Sequence, residues 1–471
     1  MKGYVFAFII YLLDLVYTQT QNYRFVFSIF RHGARAPQNK VKNGVDMLGE
    51  QWISPGELTD VGMRMHFLLG IRNRAKYGSF IGNSYDPNLI YVRSSDYNRT
   101  MMSVQSQLQG WFPPGTGPSL TANQQTLGYP FLGRNFGTFD INTLGSASLP
   151  NQMQVFPVHL MVELEFKYFF FYTSLFQQCP PLQNYFGQNT QADPIKSFIP
   201  TVATKYGSQL QAAIGSSSTD LADYHYLFNL FDTFIGGLYA GKTFSKLTAQ
   251  GLDINAFNQT AFEFAHNDIL NFYNGGSDYL LPKFTTSAFL DELFYWMENR
   301  MNYDIAGNSG YYGYISPKIV LFSTHDVTLG SLLVFFKNTL GTQTYYTPFT
   351  SAMFIELTLP SGVTPKAFSD FNISINFNDN ILLTNLPYDQ FKSKLMTQYM
   401  SLDQIYAYCT GLPLFLVDLV GPSWKRGTIG MTVIAGVFFI AFITVLIICC
   451  CCYERKGEHN QVAATTENNK A

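Results

Sequence analysis

The apolar run Tyr23 to Phe30 reads as a buried strand, and it opens directly into Arg31-His32-Gly33-Ala34-Arg35-Ala36-Pro37. Polar groups delivered at a strand's exit belong at the carboxyl edge of an open α/β sheet, where ligands bind in the crevice outside the strand ends. The pattern R-H-G-x-R-x-P arises by accident in a chain of this length on the order of once in ten thousand. One histidine between two guanidinium groups therefore constrains both the fold and the chemistry.

Each position has a physical reason. An imidazole beside two arginines is held neutral at physiological pH, because nearby positive charge disfavours its protonation and keeps a lone pair free. Arginine stays charged and offers a planar fork matched to phosphate oxygens. Gly33 lets the backbone turn sharply or approach a ligand, and Pro37 ends the loop in a fixed conformation. The arrangement suits a nucleophile that attacks phosphate.

Two further strand exits carry related groups. Lys318 to Phe322 reads as a short buried strand and leads into Ser323-Thr324-His325-Asp326. His325 is a candidate phosphate ligand and Asp326 a candidate proton donor, although a His-Asp pair alone equally fits a structural turn. Asn88 to Val92 exits into Arg93-Ser94-Ser95-Asp96. Arg93 is then a third guanidinium at a third strand end, while Asp96 and Arg99 are expected to form a structural ion pair or cap.

Taken together with Leu58-Thr59-Asp60-Val61-Gly62 and Arg99-Thr100, these blocks resemble, in order, the signatures of the histidine acid phosphatases over roughly Tyr23 to Cys409. Within that family the chain is most similar to the prostatic and lysosomal branch, because Cys179 and Cys409 fall where that branch has a disulfide. The resemblance implies a two-step hydrolysis of phosphate monoesters through a phosphohistidine. It implies His32 as nucleophile, Asp326 as proton donor, Arg31, Arg35, Arg93 and His325 as the phosphate-binding set, and a Cys179–Cys409 disulfide. Neither a metal nor another cofactor is expected, since guanidinium groups neutralise oxygen charge as Mg²⁺ does elsewhere. Near a bound dianion Asp326 should be raised in pKa and act as general acid in mildly acidic solution.

Both ends of the chain carry targeting features. Lys2, the apolar core Tyr4 to Leu13 and Thr18-Gln19-Thr20 fit a signal peptide over residues 1–20, against which Asp14 counts. No charge interrupts Gly427 to Tyr453, long enough for a transmembrane helix, placed at 427–452, with a cytoplasmic tail at 453–471. Basic residues flank the span on both sides, so orientation rests on the signal: a single-pass type I protein whose catalytic domain, 21–421, is luminal or extracellular, in a lysosome, in an acidic vesicle or at the cell surface. Tyr453 is followed three residues later by Lys456 rather than a bulky apolar residue, which counts against tyrosine-based lysosomal sorting. The exported portion has two cysteines, compatible with one intramolecular disulfide. Cys449, Cys450, Cys451 and Cys452 are open to palmitoylation or to plain membrane packing. Sequons stand at Asn98, Asn258 and Asn372; Asn98 lies between Arg93 and Arg99, so glycosylation is expected at Asn258 and Asn372.

The expected fold is α/β: a mixed, largely parallel central sheet flanked by helices, with a mostly helical cap insertion at about 115–281. Strands are expected at Tyr23 to Ile29, Leu89 to Val92, Lys318 to Phe322, Ala352 to Leu359 and Asn372 to Phe377, and Thr59 is expected to cap a helix through Met63, Phe67 and Ile71. In the cap, Met161 to Phe176 and Ala222 to Tyr239 are long aromatic-rich segments, and the resemblance implies that substrate choice lies there, because in the family such a cap shapes the pocket for the leaving group.

Expected partners are a phosphate monoester and the membrane, with a homodimer left open; a net charge of −2 without a basic run disfavours nucleic acid. Gly236 to Thr243 satisfies the written P-loop pattern, but an aromatic, helix-like segment precedes it where a phosphate cradle follows a buried strand. His66, His159, His225, His266 and His459 lack ligand spacing to one another. The competing readings are a phosphoglycerate mutase-like enzyme, disfavoured by the signal, the span and the Arg35-x-Pro37 extension, and a catalytically silent cell-surface binding protein, disfavoured by retention of the catalytic set. Within the first reading, phytase and lipid phosphatase stay open.

Overall fold

The computed structural model describes residues 22–39, 41, 54–128, 144–160, 179, 181, 193–274, 280–307 and 317–411. The expected signal peptide at residues 1–20, Met161 to Phe176 and the expected span at 427–452 lie outside them. Among the described residues, no helix is long and apolar enough to cross a membrane.

The chain forms two units, Met1–Leu402 and Asp403–Ala471. In the first, seven strands make one sheet: β1 Tyr23–Arg31, β2 Ile90–Ser94, β3 His159–Leu160, β4 Ile319–Thr324, β5 Ala352–Thr358, β6 Asn372–Phe377 and β7 Asn380–Pro387. The longer helices are α1 Asp60–Ile81, α2 Asn98–Trp111, α3 Asp193–Ile214, α4 Tyr224–Tyr239, α5 Ile254–Asn274, α6 Leu280–Ile305, α7 Asp326–Leu340 and α8 Tyr388–Met396. In the second unit, Ile405 and Cys409 are buried on the helix Leu402–Thr410.

Strand order is β3-β2-β4-β1-β5-β6-β7. The sheet is mixed as expected, but only one half is parallel: β3, β2, β4 and β1 run together, and β5, β6 and β7 alternate. β1 sits where the halves meet. Its alternate residues are buried on both faces, as a central strand requires. Phe25, Phe27 and Ile29 pack with Phe289, Leu293, Leu329 and Leu333 of α6 and α7, while Val26 and Phe30 pack with Tyr77, Val104 and Leu108 of α1 and α2. Where it is described, the insertion is mainly helical and builds its own apolar core from residues such as Leu210, Phe231, Phe234 and Phe257. β3 is an exception, since it leaves the insertion to join the sheet edge.

Parallel register sets the site. Arg31 lies opposite Thr324 in the β1–β4 ladder, so the residues that follow each strand emerge side by side. The His32 backbone N–H closes this edge by donating to Thr324 O at 3.0 Å.

Candidate active site

Three loops meet at the carboxyl edge. The Arg31–Pro37 loop is held from beneath by the segment before α1: Thr59 donates to Ala34 O from both its N–H and its hydroxyl, each at 2.9 Å. Thr59 also caps α1 by accepting from Gly62 N–H, as expected from sequence. Gly33 and Gly62 touch backbone to backbone. A Cβ on Gly33 would lie 2.4 Å from Gly62 O, and one on Gly62 would lie 2.2 Å from Ala34 O. Only glycine fits either position.

His32 is 2 % exposed. With the proton on Nδ1, the ring donates to Gly33 O at 2.9 Å, and the Nε2 lone pair is left over. Burial first, then the charges of Arg31, Arg35, His325 and Arg99, hold its pKa well below the ordinary histidine range. The ring is therefore neutral. His325 lies beside it, ring centroids 5.6 Å apart, and shares a 3.1 Å hydrogen bond between Nε2 and Ser95 Oγ. Burial and then Arg99 push His325 down to about 3.

The guanidinium groups surround these rings. Arg31 donates to Thr347 O at 2.7 Å, pairs with Asp326 at 2.7 Å and lies 4.3 Å over the Phe349 ring. Arg35 donates both terminal nitrogens to Asp232 of α4, at 2.9 and 3.1 Å. Arg99 stacks 4.3 Å over Tyr97 and has no ion pair among the described residues; burial and then Arg35 lower it to about 10. In all three, Nε is buried without a described hydrogen-bond acceptor. Buried donors of this kind are costly unless a ligand meets them.

Asp326 opens α7. Burial opposes its ionisation and is the largest single influence, but Arg31, Arg35 and His325 together outweigh it and lower the pKa below the ordinary 3.8. The raised value expected from sequence is not a property of the site alone; it requires the charge of an arriving dianion.

The structure brings together Arg31, His32, Arg35, His325 and Asp326. Arg93 departs from the expectation. It still lies within β2, so alternation turns it with Tyr91 toward the α6 face, where it pairs with Glu292 at 2.6 Å and donates to Tyr91 at 2.8 Å. The third guanidinium at the cluster is that of Arg99. It stands in the first turn of α2 just past the strand end, and it does not pair with Asp96.

Sequence reasoning also missed Asp232, Phe349, Ser95 and His66. His66 Nε2 lies 3.1 Å from Arg31 O and ties α1 to the β1 exit. Of these, only Ser95 stood in a recognisable block; the others come from distant segments with no local pattern. The P-loop-like motif has a packing role instead: a Cβ on Gly236 would lie 3.2 Å from Arg35 O. Cys179 and Cys409 are each disulfide-bonded. Of the three sequon asparagines, Asn98 is exposed, while Asn258 and Asn372 are half-buried.

A family model describing the histidine phosphatase superfamily (branch 2) matches residues 23–362. The chain belongs to this superfamily. Among the curated relatives it matches, the lysosomal acid phosphatase of Xenopus laevis is 40% identical over 102 residues, covering 22% of this chain and 23% of that one. The prostatic acid phosphatase of Rattus norvegicus is 41% identical over 98 residues, covering 20% and 25%. The matched segment thus spans about a quarter of these relatives' length. The fold is shared more widely: the phytase of Citrobacter braakii superposes with a TM-score of 0.52 at 12% identity, covering 80% of this chain and 98% of that one. The Klebsiella sp ASR1 phytase does so with 0.50 at 12%, covering 81% and 96%.

Proposed function

We propose that the chain is a membrane-anchored acid phosphatase that hydrolyses phosphate monoesters through a phosphohistidine on His32. The observation that carries this is the set of three buried guanidinium groups, each with an unmet Nε–H, around a neutral imidazole with Nε2 free. An anion satisfies the donors, and the lone pair is the nucleophile beside it.

In the first step Nε2 of His32 attacks phosphorus, the P–N bond forms and the P–O bond to the leaving group breaks. Asp326 delivers its proton to the departing oxygen. Arg31, Arg35, Arg99 and His325 bind the phosphoryl oxygens and oppose their charge as bonds reorganise. In the second step Asp326 takes a proton from water, which attacks phosphorus; the P–N bond breaks, releasing phosphate and the neutral imidazole. Arginine stays charged throughout, so the cradle keeps its field across acid pH.

The wall beside the phosphate cradle is aromatic, with Phe349 meeting Tyr239 at 5.2 Å and Tyr346 met edge-on by Phe262 and His266 of α5. The uncharged stretch at 427–452 and the apolar amino-terminal segment support a type I anchor with the domain luminal or extracellular. The relatives named lysosomal and prostatic support an exported setting.

The test is turnover of p-nitrophenyl phosphate from about pH 4 to about pH 8, wild type beside His32→Ala. An acid optimum lost in the variant supports the proposal, and a folded wild type without turnover supports a silent binding protein instead.

A further inference from the structure

Among the described residues, Arg35 is the one cradle arginine gripped by a residue from the helical insertion. Asp232 Oδ1 accepts from Arg35 Nη2 at 2.9 Å, and Oδ2 accepts from Arg35 Nη1 at 3.1 Å and from the Gln38 backbone N–H at 3.0 Å. Arg35 also donates from Nη1 to Ala36 O at 2.9 Å. Nη1 thus uses both of its N–H groups and Nη2 one of its two, while Nε–H is buried and without an acceptor among the described residues.

The helix that supplies Asp232 is built to sit there. Asp232 and Gly236 are four residues apart on one face of α4. The absence of a side chain at Gly236 lets α4 approach Arg35 O and the Pro37 ring, with a Cβ placed at 3.2 and 3.4 Å respectively. The pair is nearly solvent-free, with side-chain exposures of 5% for Arg35 and 12% for Asp232. Screening is weak in such a place, so the carboxylate strongly offsets the guanidinium charge.

We propose that Asp232 is a positioning residue for Arg35: it fixes the guanidinium with Nε toward the phosphoryl group and trims the cradle's positive charge so that product phosphate leaves readily. This rests on the phosphatase reading. Five charged groups set the balance at this end of the site: Arg31 pairs with Asp326 and Arg35 with Asp232, while Arg99, with no ion pair among the described residues, is a surplus of one cation. Removing the Asp232 charge should tighten ground-state anion binding while loosening the orientation that the reaction needs. Uniform binding gains of that kind lower KM without raising kcat.

The experiment compares full-length wild type, Asp232→Asn and Asp232→Glu in kcat, KM and inhibition by inorganic phosphate, with phosphate binding also measured by calorimetry. Asp232→Asn retains an acceptor for Gln38 and should fold. Its kcat should fall about tenfold while phosphate binds about tenfold tighter, and Asp232→Glu should move both back toward wild type. Parallel weakening of turnover and phosphate binding would mark a merely structural ion pair and overturn the proposal, as would no change in either. Wild type that neither binds phosphate nor turns over ester would remove the phosphatase reading itself, and this inference with it.

Discussion

The Asp326 carboxylate lies 2.7 Å from the Arg31 guanidinium. The proposed proton donor is thus held ionised in the free protein by a residue of the proposed phosphate cradle. A bound dianion takes over the guanidinium charge, and only then does Asp326 gain affinity for a proton. On an alkyl phosphate, kcat/KM should therefore fall with rising pH earlier than kcat does, because the first reports free protein and the second the complex. Asp326→Asn should remove the alkaline limb of kcat and cost most with alkoxide leaving groups. Coincident limbs in wild type would contradict the coupling.

Stability should decline in the acid range in which the enzyme is proposed to work. Burial lowers His66 from 6.5 to about 4 and His325 from 6.5 to about 3. The unfolded chain binds protons at these histidines below about pH 6.5, and the native state refuses them until far lower pH, so stability is lost as pH falls. Near pH 5 the loss is on the order of 2 kcal/mol for each histidine. Asp326 acts in a lower window: its contribution is present above 3.8 and is lost as pH falls through its depressed value. Denaturant midpoints at about pH 7 and about pH 5 check this, and added phosphate should recover part of the difference.

Arg93 and Arg99 should separate cleanly. Arg99→Ala removes a guanidinium of the proposed cradle and should lower kcat/KM by roughly a hundredfold or more. Arg93→Ala breaks the Glu292 pair on the opposite face and should cost stability while kcat/KM stays within a few fold. The reverse outcome would return Arg93 to the site.

That pair shows where sequence was informative and where it stopped. The strand exits, the Thr59 cap and the three loops were legible because short apolar runs and turn residues are local signals. Strand length was not: β2 extends two residues past Val92, so Arg93 obeys strand alternation and Arg99 inherits the crevice. β7 escaped notice because it is an exposed edge strand without apolar alternation. Asp232 and Phe349 carry no local mark at all, since they reach the loop from α4 and from the turn before β5 only after long-range packing.

Phe349 joins the site physically. It is 5% exposed, lies under Arg31 and 5.7 Å from the His32 ring. Phe349→Ala should cost about 3 kcal/mol of stability through the lost burial. It should also raise KM, because Arg31 loses its platform. A stable variant with unchanged KM would reduce Phe349 to bystander packing.

The most direct measurement is chemical trapping of the intermediate: full-length protein mixed with an aryl phosphate, quenched in alkali where phosphohistidine survives, and mapped by peptide mass spectrometry. One phosphate on the His32 peptide of wild type, absent from His32→Ala, is the expected result. Rapid turnover with no phosphorylated histidine, or phosphate on another residue, would contradict the two-step scheme.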